Sequence, residues 1–404
     1  MRPQRILILM SNTGGGHRAS AEALKAGFTQ LYGERFQVEI IDLLIDHLPQ
    51  PLNWLPNTYS FLVNEAAWLW KLLWKTGNHP VTIRRLSTVV AHLGRESVAR
   101  TFIAYQPDLI VSVHPLVQEF TLYALKRMKR RVPFVTVVTD LATAHPLWFH
   151  PAVDACYVAS KEAYSLARRV GLRPKQLYLY GLPVRPAFAQ PPQNGAELRQ
   201  RLGLHPTLPA ILLISGGEGV GPVEAIARQI NETLTRSGQA VGQMVVVCGR
   251  NARLRQKLAN HQWQIPTLVH GFIENMPEWM AACNCIVTKA GPGTIAEALI
   301  SGLPIILSGF IPGQEEGNIP YVLQNQVGYY GRSPAEIANT VNHWFTHGCD
   351  ELAQMTARAQ ALGKPQATFQ IVESITQLLE LRIPLPAYAR PGNASLSKLQ
   401  PEEN

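Results

Sequence analysis

Charge is scarce in this chain. Asp, Glu, Lys and Arg make up 16% of 404 residues, where about a quarter is usual for a soluble domain. The charge present leans basic, with a net of +9, which favours an acidic partner such as a nucleotide, a nucleic acid or an anionic membrane face. Basic residues form no long run, the densest being Lys126 to Arg131, so a nucleic-acid footprint finds no support. Cysteine is also rare. The five (Cys156, Cys248, Cys283, Cys285, Cys349) are scattered and odd in number, which excludes a disulfide framework and fits reduced thiols in a cytosolic compartment. Cys283-Asn284-Cys285 has no second Cys or His pair beside it, so no structural zinc site is expected. No apolar run approaches the roughly 18 residues of a membrane span. The opening MRPQRILILM is too short in its apolar part for a signal peptide.

The hydrophobic content, 46% over 404 residues, is ample for two or three domains. The most informative stretch is Ile286 to Asn318, IVTKAGPGTIAEALISGLPIILSGFIPGQEEGN. An apolar run breaks into a Gly-Pro-Gly turn and continues as a helix with one carboxylate, Glu297, on its buried side. A second apolar run then ends in a loop holding Gln314, Glu315 and Glu316. Strand, glycine turn, helix, strand and polar loop form a nucleotide-binding half-domain. Free N–H groups at the helix start, Gly293 and Thr294, would face a phosphate. An ordinary tight strand-to-helix connection has the same look.

The chain begins with a related unit. Arg5 to Met10 reads as a strand that runs into SNTGGGHRASAEALKAGF, a glycine loop followed by a helical pattern. The loop lacks the GK[ST] ending of a Walker motif and matches GxGxxG poorly. Its distinctive residue is His17, at the mouth of the helix. A neutral imidazole there could accept a proton from a bound hydroxyl, and the positive helix end would keep it neutral; a simple helix-capping role is the plainer alternative. Further strands are expected at Val38–Leu44, Pro107–His114, Val132–Asp140 and Asp154–Ser160, with helices at Leu116–Lys129 and Lys161–Val170 between them. This rhythm argues for a doubly wound parallel sheet with its crevice at the strand carboxyl ends. His114, Asp140 and His145 fall at or just past such ends.

Four of the eight tryptophans (Trp54, Trp68, Trp70, Trp74) lie in residues 52–75. From Tyr59 on, the spacing is helical, with a wide apolar face fringed by Lys71 and Lys75. Such a face suits a lipid headgroup layer, and a buried core helix suits the same periodicity. A Pro- and Gln-rich stretch near 184–194 reads as a linker. The strand–glycine loop–helix rhythm then restarts at Ala210, and SGGEGVGP is its glycine loop. A helix pair (Pro334–Phe345, Gln366–Leu381) closes the chain, and the tail from Ile383 has no apolar periodicity and reads as disordered.

Two doubly wound domains with these loops resemble the GT-B glycosyltransferases. GGGHRASA, TVVTDLATAHPLWFHPAVDACYVAS, YGLPVRPAF, SGGEGVGPVEA, HGFIENMPEWM, TKAGPGTIAEALISGLPIIL and IPGQEEGNIPYVL are similar to the monogalactosyldiacylglycerol synthase family, a relative of the glycosyltransferase family 28 enzyme that makes lipid II. The resemblance implies an acceptor domain over 1–183, a linker over 184–194, a UDP-sugar domain over 195–365, a closing helix over 366–382 and a disordered tail over 383–404. UDP would lie near Gly216 and Gly217, its uracil by Phe272 and Ile273. Its pyrophosphate would meet Gly291, Gly293 and Thr294, and its ribose Glu297, with the hexose at Gln314 and Glu315. His17 would be the base. Gly16, Asp140, His145 and Trp148 would border the acceptor, and Trp54, Trp70 and Trp74 would engage lipid.

The activity so implied is transfer of galactose, or of glucose as in some bacterial relatives, from a UDP-sugar to the 3-hydroxyl of diacylglycerol with inversion. No cofactor or metal is implied. The partners are UDP-hexose, diacylglycerol and anionic membrane lipids, with no nucleic acid, and the expected location is cytoplasmic and peripheral to a membrane. Plant members carry a transit peptide that does not stand out here, which points to a bacterial or cyanobacterial type. A UDP-sugar epimerase and a non-catalytic lipid- or nucleotide-binding relative are the competing readings.

Overall fold

The computed structural model describes residues 2–12, 15–54, 56, 58, 80–128, 131–190, 195–214, 216–217, 221–236 and 238–381. The Trp-rich helix expected from Tyr59, with Trp68, Trp70 and Trp74, lies outside these residues, as does the tail from Ile383.

Two parallel six-stranded sheets organise the chain. The first contains β1 (Gln4–Met10), β2 (Phe36–Asp42), β3 (Leu109–Ser112), β4 (Phe134–Val137), β5 (Ala155–Val158) and β6 (Leu177–Leu179) in the order β2-β1-β3-β4-β5-β6. Next come β7 (Ala210–Ile214) and a small antiparallel hairpin, β8 (Thr235–Arg236) with β9 (Gln239–Ala240). The second sheet adds β10 (Gln243–Val247), β11 (Thr267–His270), β12 (Cys285–Thr288), β13 (Ile305–Leu307) and β14 (Gly328–Tyr330), ordered β11-β10-β7-β12-β13-β14. Helices cover both faces, so the central strands are buried and largely apolar, as in Ile6–Met10 of β1 and all of β7. Along β1, Leu7 and Leu9 enter one core with Phe102, Phe120 and Phe134. Ile6, Ile8 and Met10 enter the other with Phe28 and Val111. The same alternation divides β7, where Leu212 and Ile214 face one core and Ile211 and Leu213 the opposite one.

Three sequence expectations change. Leu43 and Leu44 do not extend β2. Asp42 Oδ1 accepts the Ile45 N–H at 3.0 Å and caps a short helix, Leu43–His47, so side-chain capping overrides the apolar run. A third helix, Cys349–Leu362, separates the expected closing pair. The 184–194 stretch is also not a free tether along its described part: Val184 is buried, and Pro186–Ala189 forms a 3-10 turn.

What holds Val184 is the chain's return to the first domain. After the second sheet the helix Ala367–Glu380 crosses back, and Ile371, Val372, Ile375 and Leu379 complete the core on one face of the first sheet. Helix Gly15–Tyr32 packs against it closely. A Cβ on Gly27 would stand 2.9 Å from Thr368 Cγ2, nearer than packed carbons approach. Thr368 Oγ1 accepts the Val184 N–H at 3.0 Å and donates to the Val184 carbonyl at 2.6 Å. Both interdomain crossings are thus tied to each other by one buried hydroxyl. Thr368→Val keeps the shape and strands two backbone groups, which should cost about 1–3 kcal/mol. A urea titration would read it as a lower unfolding midpoint, with faster hydrogen exchange at Val184; equal midpoints would refute the tie.

Candidate active site

In a doubly wound sheet the loops part where strand order reverses, opening a crevice at the carboxyl ends. In the first sheet that point lies between β1 and β3. The β1 loop leads to His17, third residue of the helix Gly15–Tyr32, and β3 leads to Val113 and His114. Asp42, at the end of β2, accepts the Asn12 N–H at 2.8 Å and anchors the β1 loop from the other side.

His17 is buried, and its Nδ1 lies 2.9 Å from both the Val113 carbonyl and Thr139 Oγ1. A carbonyl only accepts, so Nδ1 carries the proton and Nε2 holds the basic lone pair. Burial brings the His17 pKa down to about 4, partly offset by the Val113 bond. The neutral form was expected from the helix end, and desolvation by burial is its leading cause. His114 stands edge-on to His17 with ring centroids 4.5 Å apart. Burial, then the neighbouring His17, holds its pKa well below the usual imidazole value.

Trp148, fully buried, lies 6.0 Å from the His17 ring and donates its Nε1–H to Asp140 Oδ2 at 2.7 Å. Asp140 Oδ2 also accepts the His145 N–H at 3.3 Å. Burial lifts the Asp140 pKa to about 6 against these two donors, and the Glu315 carboxylate adds to the lift. His145 itself accepts the Leu147 N–H at Nδ1, 3.1 Å, and caps the turn Pro146–Trp148. Burial lowers its pKa to about 4. These bonds shape the loop around Asp140.

The second reversal lies between β7 and β12, and it brings the two glycine loops together. Gly216 follows β7 with φ +67°, a left-handed conformation suited to glycine. Gly217 presses its carbonyl against the Gly249–Arg250 turn. Arg250 N–H donates to it at 2.8 Å, and any Cβ on Gly249 would overlap it. Across from them, Gly291 starts the helix Pro292–Ile300 with proline in the first turn and no capping side chain. The N–H groups of Gly293 and Thr294 therefore have no helical partner and are available to an anion. Glu297, one turn on, is half-buried with Arg185 Nη2 3.4 Å from Oε1. Burial raises its pKa and Arg185 opposes the rise. Phe272 is 58% exposed under the Arg250 guanidinium, 5.2 Å from its ring centre, with Ile273 packed beneath at the core edge.

The two rims touch. Asn318, buried, accepts the Ala142 N–H at 3.1 Å through Oδ1 and donates to the Ala290 carbonyl at 2.8 Å. A Cβ on Gly317 would overlap Thr143 Oγ1. Glu315 is buried and its Oε1 lies 2.7 Å from Lys289 Nζ. The loop of Gln314 and Glu315 thus lies against the loop of Asp140.

The structure brings His17, Asp140, His145 and Trp148 together on one side, and Gly216, Gly217, Gly291, Gly293, Thr294, Glu297 and Glu315 on the other. Trp54 stands apart, 56% exposed in the turn Leu52–Trp54 beyond β2; Trp70 and Trp74 are outside the described residues. Sequence reasoning passed over Thr139, Arg185, Lys289 and Asn318. Lys289 could have been found as a cation two residues before Gly291 of the glycine turn. The others carry no local signal, since their partners lie far away in the chain. No helix among the described residues is long and apolar enough to cross a membrane.

The family profile described as Monogalactosyldiacylglycerol (MGDG) synthase matches residues 17–184, and the Glycosyltransferase family 28 C-terminal domain matches 211–367. The chloroplastic monogalactosyldiacylglycerol synthase 1 of Arabidopsis thaliana is 48% identical over 391 residues, spanning 95% of this chain and 73% of that protein. Its name places that relative in chloroplasts, a compartment that scattered reduced thiols do not distinguish from the cytosol. Among solved structures, Acinetobacter baumannii MurG superposes with a TM-score of 0.58 at 16% identity, covering 93% of this chain and 100% of that one. A Listeria monocytogenes structure described as a UDP-N-acetylglucosamine 2-epimerase gives 0.60 at 14%, covering 94% and 98%. At such identities the structures speak for the shared GT-B fold alone. The long sequence match carries the assignment: this chain is a glycosyltransferase and belongs to the monogalactosyldiacylglycerol synthase family.

Proposed function

We propose that this enzyme moves galactose from UDP-galactose to the free 3-hydroxyl of 1,2-diacylglycerol, inverting the anomeric centre, at a membrane surface and without a metal ion. The observation that carries the reading is the fixed tautomer of His17. Its Nδ1–H is anchored on a backbone carbonyl, and the basic Nε2 belongs to the domain opposite the anion-binding turn. The glycerol hydroxyl attacks the sugar C1 from the His17 side while its proton passes to Nε2. The bond from C1 to the diphosphate oxygen breaks, and its electron pair leaves with UDP. The Gly293 and Thr294 N–H groups stabilise the developing charge. Backside attack across the cleft is what would invert the centre. The family membership supports galactose and diacylglycerol. Diacylglycerol resides in bilayers, and the net charge of +9 with exposed Trp54 suits an anionic surface.

The direct test offers the purified protein diacylglycerol in anionic liposomes with UDP-galactose or UDP-glucose. Monogalactosyldiacylglycerol with a β linkage is expected. A glucolipid would correct the donor, an α linkage would remove backside attack, and lack of any glycolipid would refute the reaction.

His17→Ala should lower kcat by about 100- to 10,000-fold, the usual worth of a general base, with UDP affinity unchanged. Near-normal turnover would remove the base assignment. The pH dependence follows from burial. The active base is neutral His17, which persists down to its pKa of about 4, so protonation of His17 should cause no fall in kcat/KM as pH drops from about 8 through the ordinary imidazole range near 6.5. Asp140, with a pKa of about 6, is the carboxyl beside His17 that titrates in that range. A loss centred near its value should vanish in Asp140→Asn; a loss that persists would mean that His17 is not desolvated as described.

A further inference from the structure

Lys289 leaves the end of β12 and runs beneath both glycine turns. Its Cε lies 3.4 Å from where a Cβ on Gly216 would stand and 3.8 Å from the same point on Gly291. Its ammonium reaches Glu315 Oε1 at 2.7 Å, and a third of the side chain stays accessible. Glu315 differs in kind from its neighbour Gln314. It is 4% exposed, and both oxygens already have donors, Oε1 in Lys289 and Oε2 in the Ile311 N–H at 2.9 Å. A carboxylate so placed has little surface left to offer a sugar hydroxyl. It has what is needed to hold a lysine stem in one orientation.

We infer that Lys289 is the cation that receives the nucleotide diphosphate, and that Glu315 is a positioning residue for Lys289 rather than a contact of the transferred hexose. This rests on the nucleotide-sugar reading of the cleft. A diphosphate between the Gly216 turn and the Gly293–Thr294 N–H groups would have donors on two sides, and Lys289 supplies a third from the floor between them. An ammonium has three donors, so it can bind phosphate without releasing Glu315. Sugar recognition then falls to groups other than Glu315, Gln314 first among them.

The test compares binding of UDP, which has no sugar, and of uridine, which has no phosphate, to the full-length protein and to K289Q, K289R and E315Q. K289Q should weaken UDP by about tenfold or more, as expected for a lost charge-assisted bond to phosphate. K289R should recover part of that loss, and uridine binding should be equal in all four, which also verifies that each variant is folded. E315Q should weaken UDP several-fold, flatten its salt dependence towards that of K289Q, and leave the ratio of kcat/KM for UDP-galactose and UDP-glucose unchanged. Unaltered UDP binding in K289Q or E315Q overturns the inference, as does a shifted donor ratio in E315Q with UDP affinity intact. Failure of the unaltered protein to bind UDP overturns the nucleotide reading itself, and this inference with it.

Discussion

A parallel sheet wound in both directions has one place where neighbouring loops diverge, and this protein has two such sheets. Everything chemical in the chain hangs on those two reversals, β1 against β3 and β7 against β12. His17 and His114 meet because they follow the adjacent strands of the first. Gly216 and Lys289 meet because they follow the adjacent strands of the second. Neither pair is close in sequence, and neither could form with another strand order. The apolar residues on both faces of β1 and β7 keep these strands in the middle of their sheets, where both faces are covered.

Burial then sets the electrostatics. On the first rim, desolvation leaves His17 and His114 neutral and makes Asp140 reluctant to ionise. That environment suits a proton acceptor that must not be charged beforehand. The second rim is arranged for the opposite purpose. Uncapped N–H groups and Lys289 present positive charge in partly accessible positions, suited to an anion that arrives and leaves. The contrast between a dry basic nitrogen and a half-open cationic turn is what the proposed reaction would need, a hydroxyl acceptor on one rim and a diphosphate on the other.

The rims are brought into register by side chains that meet backbone of the facing loop. Asn318 links Ala142 of one domain to Ala290 of the other, and the absence of a side chain at Gly317 lets Thr143 come close. At the opposite end the Thr368 hydroxyl binds Val184, and the returning helix Ala367–Glu380 completes the first domain's core. The second domain is therefore spliced between two segments of the first.

Much of this was legible in the residues. Apolar runs, glycine turns and helix starts are local features, and they located the strands, the glycine turn at the start of helix Pro292–Ile300 and the place of His17. The 286–318 stretch read correctly as strand, turn, helix, strand and loop because each transition is dictated by neighbours within a few positions. What tertiary structure decided depends on partners far along the chain. The tautomer of His17 comes from Val113 and Thr139, about a hundred residues away. The burial of Glu315 against Lys289, the grip of Thr368 on a stretch that reads as a linker, and the return of the last helix have the same origin. Side-chain chemistry and spacing determine which groups are available. Desolvation and long-range hydrogen bonds, which exist only once the sheets are wound, determine the charge each group carries and the direction in which it can act.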